Sequence, residues 1–520
     1  MARFLTEAVQ HGGFGGGGEA VLNLPLASDR LALRAVGYVI RGAGWIDNIG
    51  QDHNANSSKA DGARIALRWR PSDEWTVDLA GLLQNINVAD SQYVRGSGFG
   101  LRRQPPAAPE TSDNDLRSVS STISARIGSL RLLSATNYVD QRIGYVSDAS
   151  AAADRFGLAG PASFHDQRVY QVVNQEFRLS PVTGGKWVAG FSWLRARTRS
   201  EAVLESPVGI RLPVENLNRK VEEYSLFGEA TVRIADHLSG TVGARLSRTI
   251  AEDEAQEASG ESPHHIDRTT LSPSLALSWT VMNKGIAYAR RARAVRPGGL
   301  APQEKGSERA FASDQLESTE IGLRHGFPDD PLSVGVGAYY TDWHHIQSDY
   351  LLSNGLISTR NVGDGQIFGI EASIDWRFRP RFLLSAGISA QNGRLIRTQD
   401  GVKVDDSRLP VVPDLSARLA IRREFDFGAW TSALTIQANY IGHARLSFER
   451  SLDRQMGDYA TVFIASTLKK GPITLAARID NLLDTKGDSF AFGNQFSIMN
   501  GRQFTPLKPR TIVLSVGLTW

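Results

Sequence analysis

The chain has 520 residues, no cysteine, 58 Lys and Arg against 55 Asp and Glu, and a mean hydropathy of −0.24. The lack of cysteine excludes disulfide frameworks, thiolate zinc sites and cysteine nucleophiles, and the scattered charges do not indicate a nucleic-acid partner. No run of about 18 apolar residues occurs, which excludes helical membrane spans. A transmembrane β-barrel is not excluded, because alternating lipid-facing and lumen-facing residues give it a soluble-looking average hydropathy.

Targeting information is not visible at the start of the chain. Residues 1–10, MARFLTEAVQ, contain no apolar core of about 7 to 15 residues and no small-residue cleavage site, so they are not a secretory signal. If the protein works outside the cytoplasm, we expect its signal peptide to be missing from this chain.

Strand patterns begin immediately and continue to the end. Residues 3–11 predict a first strand, 12–18 a glycine-rich flexible turn and 19–26 a second strand. Tight turns are predicted near residues 25–29, 71–74, 128–129, 181–185, 235–237, 283–284, 328–331, 379–381, 426–429 and 469–471. Long connections are predicted near 42–61, 89–115, 147–166, 202–217, 252–266, 294–313, 345–358, 397–409 and 484–508. About 22 strands with alternating short and long connections are typical of an outer-membrane barrel, which has tight periplasmic turns and long outer loops.

The strands have one apolar and one polar face. In residues 368–378, Phe, Ile, Ala, Ile, Trp and Phe alternate with Gly, Glu, Ser, Asp and Arg. A face that carries Glu, Asp and Arg requires water, so the sequence predicts a wide, wet lumen. Several tryptophans near strand ends predict interfacial girdles, with ordinary aromatic packing as the alternative: Trp187, Trp193, Trp279, Trp343, Trp376 and Trp430.

The last strand predicts how the sheet ends. Ile512, Leu514, Val516, Leu518 and Trp520 alternate with small or polar residues, and no chain follows them to cover the strand edge. Because an open edge is not tolerated in hydrocarbon, we expect residues 511–520 to pair with residues 3–11 and close the barrel.

Motifs for other functions are weak. The run Gly13 to Gly18 fits G-x-G-x-x-G, but a strand rather than a helix follows it. The pairs His264–His265 and His344–His345 place neighbouring side chains on opposite faces of a strand, without carboxylates at fixed spacing. The sequence also lacks G-x-S-x-G, H-E-x-x-H and P-loop motifs. We therefore expect no enzyme activity, no cofactor and no metal site.

Several segments resemble one family. ITLAARIDNLLDTKGD followed by PLKPRTIVLSVGLTW resembles the closing strands of TonB-dependent outer-membrane receptors, with Asn481, Leu482, Leu483 and Asp484 as the family's Asn-Leu-x-Asp element and Trp520 as the terminal aromatic residue. Four further segments look like barrel strands of that family, in the same order: residues 174–181, 226–249, 315–326 and 359–376. Residues 23–48 look like its second and third strands.

The resemblance implies a transport receptor. It implies one antiparallel transmembrane barrel over residues 1–520, in a Gram-negative outer membrane, which takes up a scarce ligand such as a ferric siderophore. It also implies a signal peptide, a TonB-binding box and a plug before the barrel, and the chain starts at about the first barrel strand. We therefore expect the plug to be absent from this chain, TonB to act only through that missing part, and this chain alone to be incapable of energy-coupled uptake. The last strand, ending in Trp520, would contact the barrel-assembly machinery, and outer-membrane lipid would surround the barrel.

Individual ligand contacts are not determined by the sequence. Aromatic and Arg side chains at strand tops are candidates, with solvated loops as the alternative: Trp45, Tyr93, Arg102, Arg103, Tyr145, Arg296, Phe490 and Phe492. Two other functions remain open, a passive porin-like channel and a surface structural or adhesion barrel.

Overall fold

Twenty-two antiparallel strands form one closed sheet in the computed structural model. The structure describes residues 1–95, 100–107, 109–255, 264–281, 284–301, 310–326, 330–399, 401–402, 404, 406–449, 452, 454–489 and 493–520. The barrel strands are Ala2–Val9, Phe14–Ala27, Leu31–Gly42, Ser58–Ser72, Trp75–Val88, Ser112–Ile127, Leu130–Asp148, Ser163–Pro181, Lys186–Glu205, Arg211–Ala235, Leu238–Ala255, His264–Val281, Gly285–Arg296, Asp314–His325, Leu332–Leu351, Ile357–Arg379, Phe382–Thr398, Leu415–Phe427, Trp430–Ile441, Tyr459–Lys470, Ile473–Asp480 and Thr511–Leu518. The predicted strand number and fold class are confirmed.

The first and last strands close the barrel. Ala2–Val9 pairs antiparallel with Thr511–Leu518, from Ala2 opposite Leu518 to Val9 opposite Thr511. The predicted closure is therefore confirmed, although the first strand ends two residues earlier than expected, because His11 lies in a turn with φ 55°. The carboxylate of Glu7 reinforces this junction, since it accepts hydrogen bonds from Lys508 Nζ at 3.1 Å and from the backbone N–H of Ala43.

Short turns join the strands at the end that carries both termini, and the longer connections lie at the other end, which we call the loop end. Two long connections were predicted wrongly. Lys186–Glu205 and Arg211–Ala235 leave only residues 206–210 between them, and Leu332–Leu351 and Ile357–Arg379 leave only residues 352–356. Conversely, the connection 442–458 was not predicted. Most of residues 202–217 and 345–358 were taken for loops, but they belong to strands that extend beyond the apolar band.

The prediction of a flexible turn over the glycine run, residues 12–18, is also wrong. Strand Phe14–Ala27 begins inside this run, and only residues 10–13 form the turn. A Cβ on Gly17 would lie 2.3 Å from the carbonyl oxygen of Val39, and one on Gly15 would lie 2.6 Å from Glu7 Oε1. The glycines therefore allow close packing against the neighbouring strand and the Glu7 side chain, instead of providing a flexible hairpin.

The predicted faces are confirmed. Leu514 and Val516 expose 50% and 48% of their surface on the outside of the barrel, whereas Thr511 and Gly517 on the other face are buried. Phe368, Ile370 and Trp376 are likewise exposed on the outside. On the lumen side, cross-strand ion pairs line the wall, such as Arg68 with Asp78 at 2.6 Å and Arg3 with Glu19 at 3.0 Å. Apolar groups outside and charges inside are the arrangement of a barrel in lipid with a wet interior.

The prediction of an interfacial girdle is wrong for one tryptophan, Trp343. Trp187, Trp279 and Trp376 are exposed on the outer face, as a girdle requires. Trp343 instead packs against the buried cluster around Ile346, and its indole Nε1 donates to Asp314 Oδ2 at 3.0 Å. Its role is therefore to anchor the loop end from inside.

The described helical segments are two 3₁₀ turns, Ser150–Phe156 and Ile498–Asn500. Over the described ranges, no helix has the length and apolar character needed to cross a membrane. The described parts of the loops contain four short strand pairs: Asp47–Asn48 with Arg102–Arg103, Val94–Arg95 with Gln503–Phe504, Gly299–Leu300 with Ala310–Phe311, and Ala444–Arg445 with Gln455–Met456.

Candidate functional site: loop end and lumen wall

The loops pack on each other through three apolar clusters. One contains Val9, Ala43, Trp45, Ile46, Val94 and Phe504. A second surrounds Phe496, which is 1% exposed and packs against Phe164 with ring centroids 5.0 Å apart. The third surrounds Ile346 and Phe448. These contacts join loops that are far apart in the chain, so the loop end has cores of its own above the barrel.

A buried polar network lies between the first two clusters. We call it the Arg103 network and define it as Asn48, Asp90, Ser91, Tyr93, Arg103, Glu110, Asp148 and Asn494. Arg103 is 2% exposed and contacts Asp90 at 2.5 Å and Glu110 at 3.4 Å. Its guanidinium also donates to Asn48 Oδ1 at 2.8 Å and Ser91 Oγ at 2.7 Å.

The Glu110 carboxylate of the network is satisfied by further donors. Glu110 accepts from Ser91 Oγ at 2.6 Å, Tyr93 OH at 3.1 Å and the backbone N–H of Asp148 at 3.1 Å. Asn494 joins the last long loop to the same site, because its side-chain amide donates to Glu110 and to the carbonyl of Asp148 at 2.7 Å. Four loops therefore meet at the Arg103 network.

The electrostatics follow from this burial. Burial alone would raise the pKa of Asp90, but hydrogen bonds from Arg103 and Asn48 outweigh it and hold that pKa below its usual range. Burial and the nearby Glu110 charge raise the pKa of the Tyr93 hydroxyl, which stays protonated and donates. Fixed charges with satisfied partners stabilise a structure, and they leave few groups free to bind a ligand.

The structure places the candidate ligand contacts in different environments. Trp45, Tyr93 and Arg103 are buried at 7%, 5% and 2% exposure and belong to the packed loops. Arg102 and Tyr145 are exposed, and a ligand role for them stays a prediction. Arg296 is half exposed and ion-paired with Asp314, which is 0% exposed. Phe490 and Phe492 lie outside the described residues.

A hollow of about 520 Å³ lies in the lumen wall, and sequence reasoning did not single it out. Gly335, Gly337 and Gly387 form its floor, and charged side chains surround it: Glu320, Arg324, Glu371 and Arg418. These charged residues all occupy the polar, lumen-facing positions of their strands. The alternation of apolar and polar residues in the sequence therefore marks each of them as lumen-facing. Their convergence depends on strand register, which the sequence does not reveal.

Aromatic rings lie flat on this wall. A Cβ on Gly322 would lie 2.6 Å from the Tyr288 ring, and one on Gly369 would lie 2.2 Å from the Tyr339 ring. In both cases the tyrosine and the glycine are directly opposite on neighbouring strands. The glycines therefore keep the rings against the wall and the hollow open to the lumen.

In the described part of the chain, no group of three or more His, Asp or Glu side chains could hold a metal ion, and this includes the two histidine pairs. His345 donates its backbone N–H to Asp364 Oδ1 at 2.8 Å, and the His344 ring lies 3.7 Å from the same carboxylate. His264 lies at the start of strand His264–Val281.

A family model matches most of the chain. Residues 23–482 match the model described as TonB dependent receptor-like, beta-barrel. Comparison with curated protein sequences gave no match.

Structural alignments with solved structures of the same architecture span the whole of this chain. The ferric yersiniabactin uptake receptor FyuA from Yersinia pestis is 14% identical, with a TM-score of 0.82 over 100% of this chain and 80% of that one. The siderophore receptor PiuA from Acinetobacter baumannii is 11% identical, with a TM-score of 0.79 over 100% and 81%. The ferric-catecholate import receptor Fiu from E. coli K12, in a closed form, is 13% identical, with a TM-score of 0.78 over 100% and 81%. At these identities the likeness establishes the fold.

Proposed function

Because the chain belongs to the TonB-dependent receptor β-barrel family of the Gram-negative outer membrane, we propose that it takes up an anionic metal chelate of the ferric-siderophore type. The observation that carries this proposal is the hollow in the lumen wall. Its two arginines, Arg324 and Arg418, project toward the same space as Tyr288, beside a floor of glycines. Guanidinium groups and aromatic rings are suited to bulky anionic ligands.

The wall favours transient binding over permanent capture. Glu320 and Glu371 lie beside the arginines, so the hollow offers charges of both signs rather than a deep cationic trap. A transport path needs sites that a ligand can leave as well as enter. The names of the similar solved structures, which include receptors for ferric yersiniabactin and ferric catecholates, point to the same class of ligand.

The partners follow from the family and the last strand. We infer that TonB energises uptake only through the plug and TonB box that the family resemblance implies. Outer-membrane lipid contacts the exposed apolar face, and the assembly machinery binds strand Thr511–Leu518 and the following Trp520, which is 78% exposed. Residues 1–520 act as one barrel domain in this proposal. The barrel carries out transport without catalysis or a resident cofactor, and nucleic acid is not among its partners.

Deleting the gene in the source bacterium tests this function. We expect lower uptake of radiolabelled iron from ferric citrate or from ferric catecholates, and no further loss when TonB is also deleted. The double variant Arg324→Ala and Arg418→Ala should reduce uptake with normal barrel levels in the membrane. Arg131→Ala is the matched control, because Arg131 lies on another part of the barrel wall.

Two outcomes would contradict the proposal. Uptake that continues without TonB, with a cut-off in solute size, would mean a passive porin-like channel. Unchanged uptake of every chelate, together with loss of phage or surface adhesion, would mean a structural surface barrel.

A further inference from the structure

One seam in the barrel wall is paired over only part of its length. Strands His264–Val281 and Gly285–Arg296 pair from Val281 opposite Gly285 up to Ser274 opposite Ala292. On its other side, His264–Val281 pairs as far as His264 opposite Asp253. Residues 264–273 therefore have a strand partner on one edge only among the described residues. Such an edge offers a row of backbone donors and acceptors for another strand.

The seam opens where the wall leaves the apolar band. The last lipid-type residues along the strand are Leu275 and Leu271, which are 54% and 53% exposed. Beyond them the outer face carries Asp267, which forms an ion pair with Arg248 at 2.7 Å. Pro273 stands where pairing stops, and proline cannot donate a ladder hydrogen bond. Residues 264–270 of this edge lie beyond these apolar residues, where water can satisfy an unpaired backbone.

A cavity of about 670 Å³ lies between the two edges. Residues of both edges line it, Ile266 to Ser272 on one side and Arg293 to Val295 on the other. Three arginines face it, Arg245, Arg268 and Arg293, against the single carboxylate of Glu223. The cavity is therefore cationic.

One of these arginines is available to a ligand on the lumen side. Within the described part of the chain, Arg268 has no ion-pair partner, and its side chain is exposed. Arg245 differs, because it already contacts Glu223 at 3.2 Å. Arg293 lies on the outer face, where it is opposite Glu317 and its guanidinium donates to Gln315.

The described arms of the neighbouring loop are hydrogen-bonded elsewhere and do not pair with the edge. Arg219 donates to the carbonyl of Gly298 at 2.6 Å, and the N–H of Leu300 donates to Asp253 at 3.1 Å. On the other arm, the N–H of Ala312 donates to Asn361 at 2.6 Å. These bonds fix the arms across the top of the cavity instead of along the strand edge.

We propose that this seam binds an extended acidic peptide segment, which adds to the edge of residues 264–273 as a further strand and places the carboxylates of its lumen-facing side against Arg268. Backbone pairing would supply affinity and the arginine would select negative side chains, as in other strand-addition sites. At ~3.3 Å per residue, a peptide of about six to eight residues fits the edge. This site is separate from the lumen hollow and does not depend on the proposed uptake.

The test measures peptide binding to the purified full chain in detergent micelles by fluorescence anisotropy. The probe is a labelled, acetylated octapeptide of alternating Thr and Glu. One comparison peptide has Lys in place of Glu, and another carries N-methyl groups on alternate residues of one edge. We expect saturable binding of the Glu peptide, and binding at least about tenfold weaker for both others.

Variants assign the site. Arg268→Ala should weaken binding about tenfold, as expected for loss of a charged hydrogen-bond partner, whereas Arg293→Ala on the opposite face of the wall should change it little. Arg290→Ala is the matched control, because Arg290 lies on the same strand as Arg293 but outside the cavity lining. Heat-modifiable mobility of each variant in gels verifies that the barrel is folded.

The unmodified protein also provides a decisive result. Equal binding of the N-methylated and unmodified Glu peptides would overturn strand addition, and equal binding of the Lys peptide would overturn the role of Arg268. Absence of saturable binding of the Glu peptide would overturn the whole proposal.

Discussion

Two regions of the loop end use arginine in opposite ways. In the Arg103 network, the guanidinium is 2% exposed and contacts Asp90, Glu110, Asn48 and Ser91. At the seam, Arg268 is exposed, lines a cavity and has no ion-pair partner among the described residues. Arg103 contacts residues of two connections directly, and Glu110 links it to Asp148 and Asn494 at two more, so the network holds these loops together. An arginine without partners on a cavity wall is available to a ligand. Residue type alone does not distinguish these roles, whereas burial and partners do.

The largest expected effect is the loss of Arg103. Arg103→Leu removes the cation that compensates Asp90 and Glu110, and breaking a buried pair in this way costs roughly 3–5 kcal/mol. We expect residues 89–95 and 149–155 to exchange backbone hydrogen much faster, measured by mass spectrometry, while the barrel strands stay protected.

Arg102→Leu is the matched control, since Arg102 is the exposed neighbour on the same short strand. If both variants exchange like the unaltered protein, the network does not hold the loops.

Acid should weaken the same region. The folded pKa of Asp90 lies below its usual range, so its contribution is complete above the unfolded pKa and is lost as pH falls through the folded value. Burial raises the pKa of Asp488 in the last long loop, so acid should stabilise the packing around that carboxyl. Between pH 6 and about pH 3, the protection of backbone amides relative to their intrinsic exchange rate should therefore fall near Asp90 and rise near Asp488.

Asp90→Asn should flatten the acid dependence near residue 90. The pH assignment fails if the variant keeps the full slope.

The smallest stability effect is expected at the seam. Arg268→Ala removes no described ion pair, so barrel stability should change by less than about 0.5 kcal/mol. Denaturant unfolding in detergent measures this. A loss comparable to that of Arg103→Leu would mean that Arg268 has a structural role, and the contrast between the two regions would disappear.

The barrel itself could be predicted from the sequence. Period-two alternation predicts the strands and their faces, because both are local properties of the sequence. The closure of Ala2–Val9 on Thr511–Leu518 follows because an open strand edge is not tolerated in the membrane. Local patterns also caused the errors. Residues 202–217 contain Pro207, Gly209 and Pro213, which interrupt a strand pattern, but they lie mostly in strands that rise above the membrane. Trp343 has the position of a girdle residue but turns inward to Asp314.

The loop end could not be predicted in the same way. Arg103 was a candidate by residue type, but its role depends on Asp90 and on Asn494, which is 384 residues from Glu110 in the chain. The seam cavity depends on where pairing between two strands stops. Both features arise from long-range register and loop packing, for which a single sequence has no periodic signal.

The most direct test of the account compares two neighbouring residues on the last strand. Leu514 is 50% exposed on the outer face and Ser515 lies on the lumen face. Arginine at the lipid-facing position costs roughly 2–4 kcal/mol near mid-membrane and little in a wet lumen. The measurement is the amount of heat-modifiable barrel assembled in the outer membrane for Leu514→Arg and for Ser515→Arg. We predict a strong loss for Leu514→Arg and near-normal assembly for Ser515→Arg, whereas equal losses would mean that both faces are buried and would contradict a lipid-embedded barrel with a wet lumen.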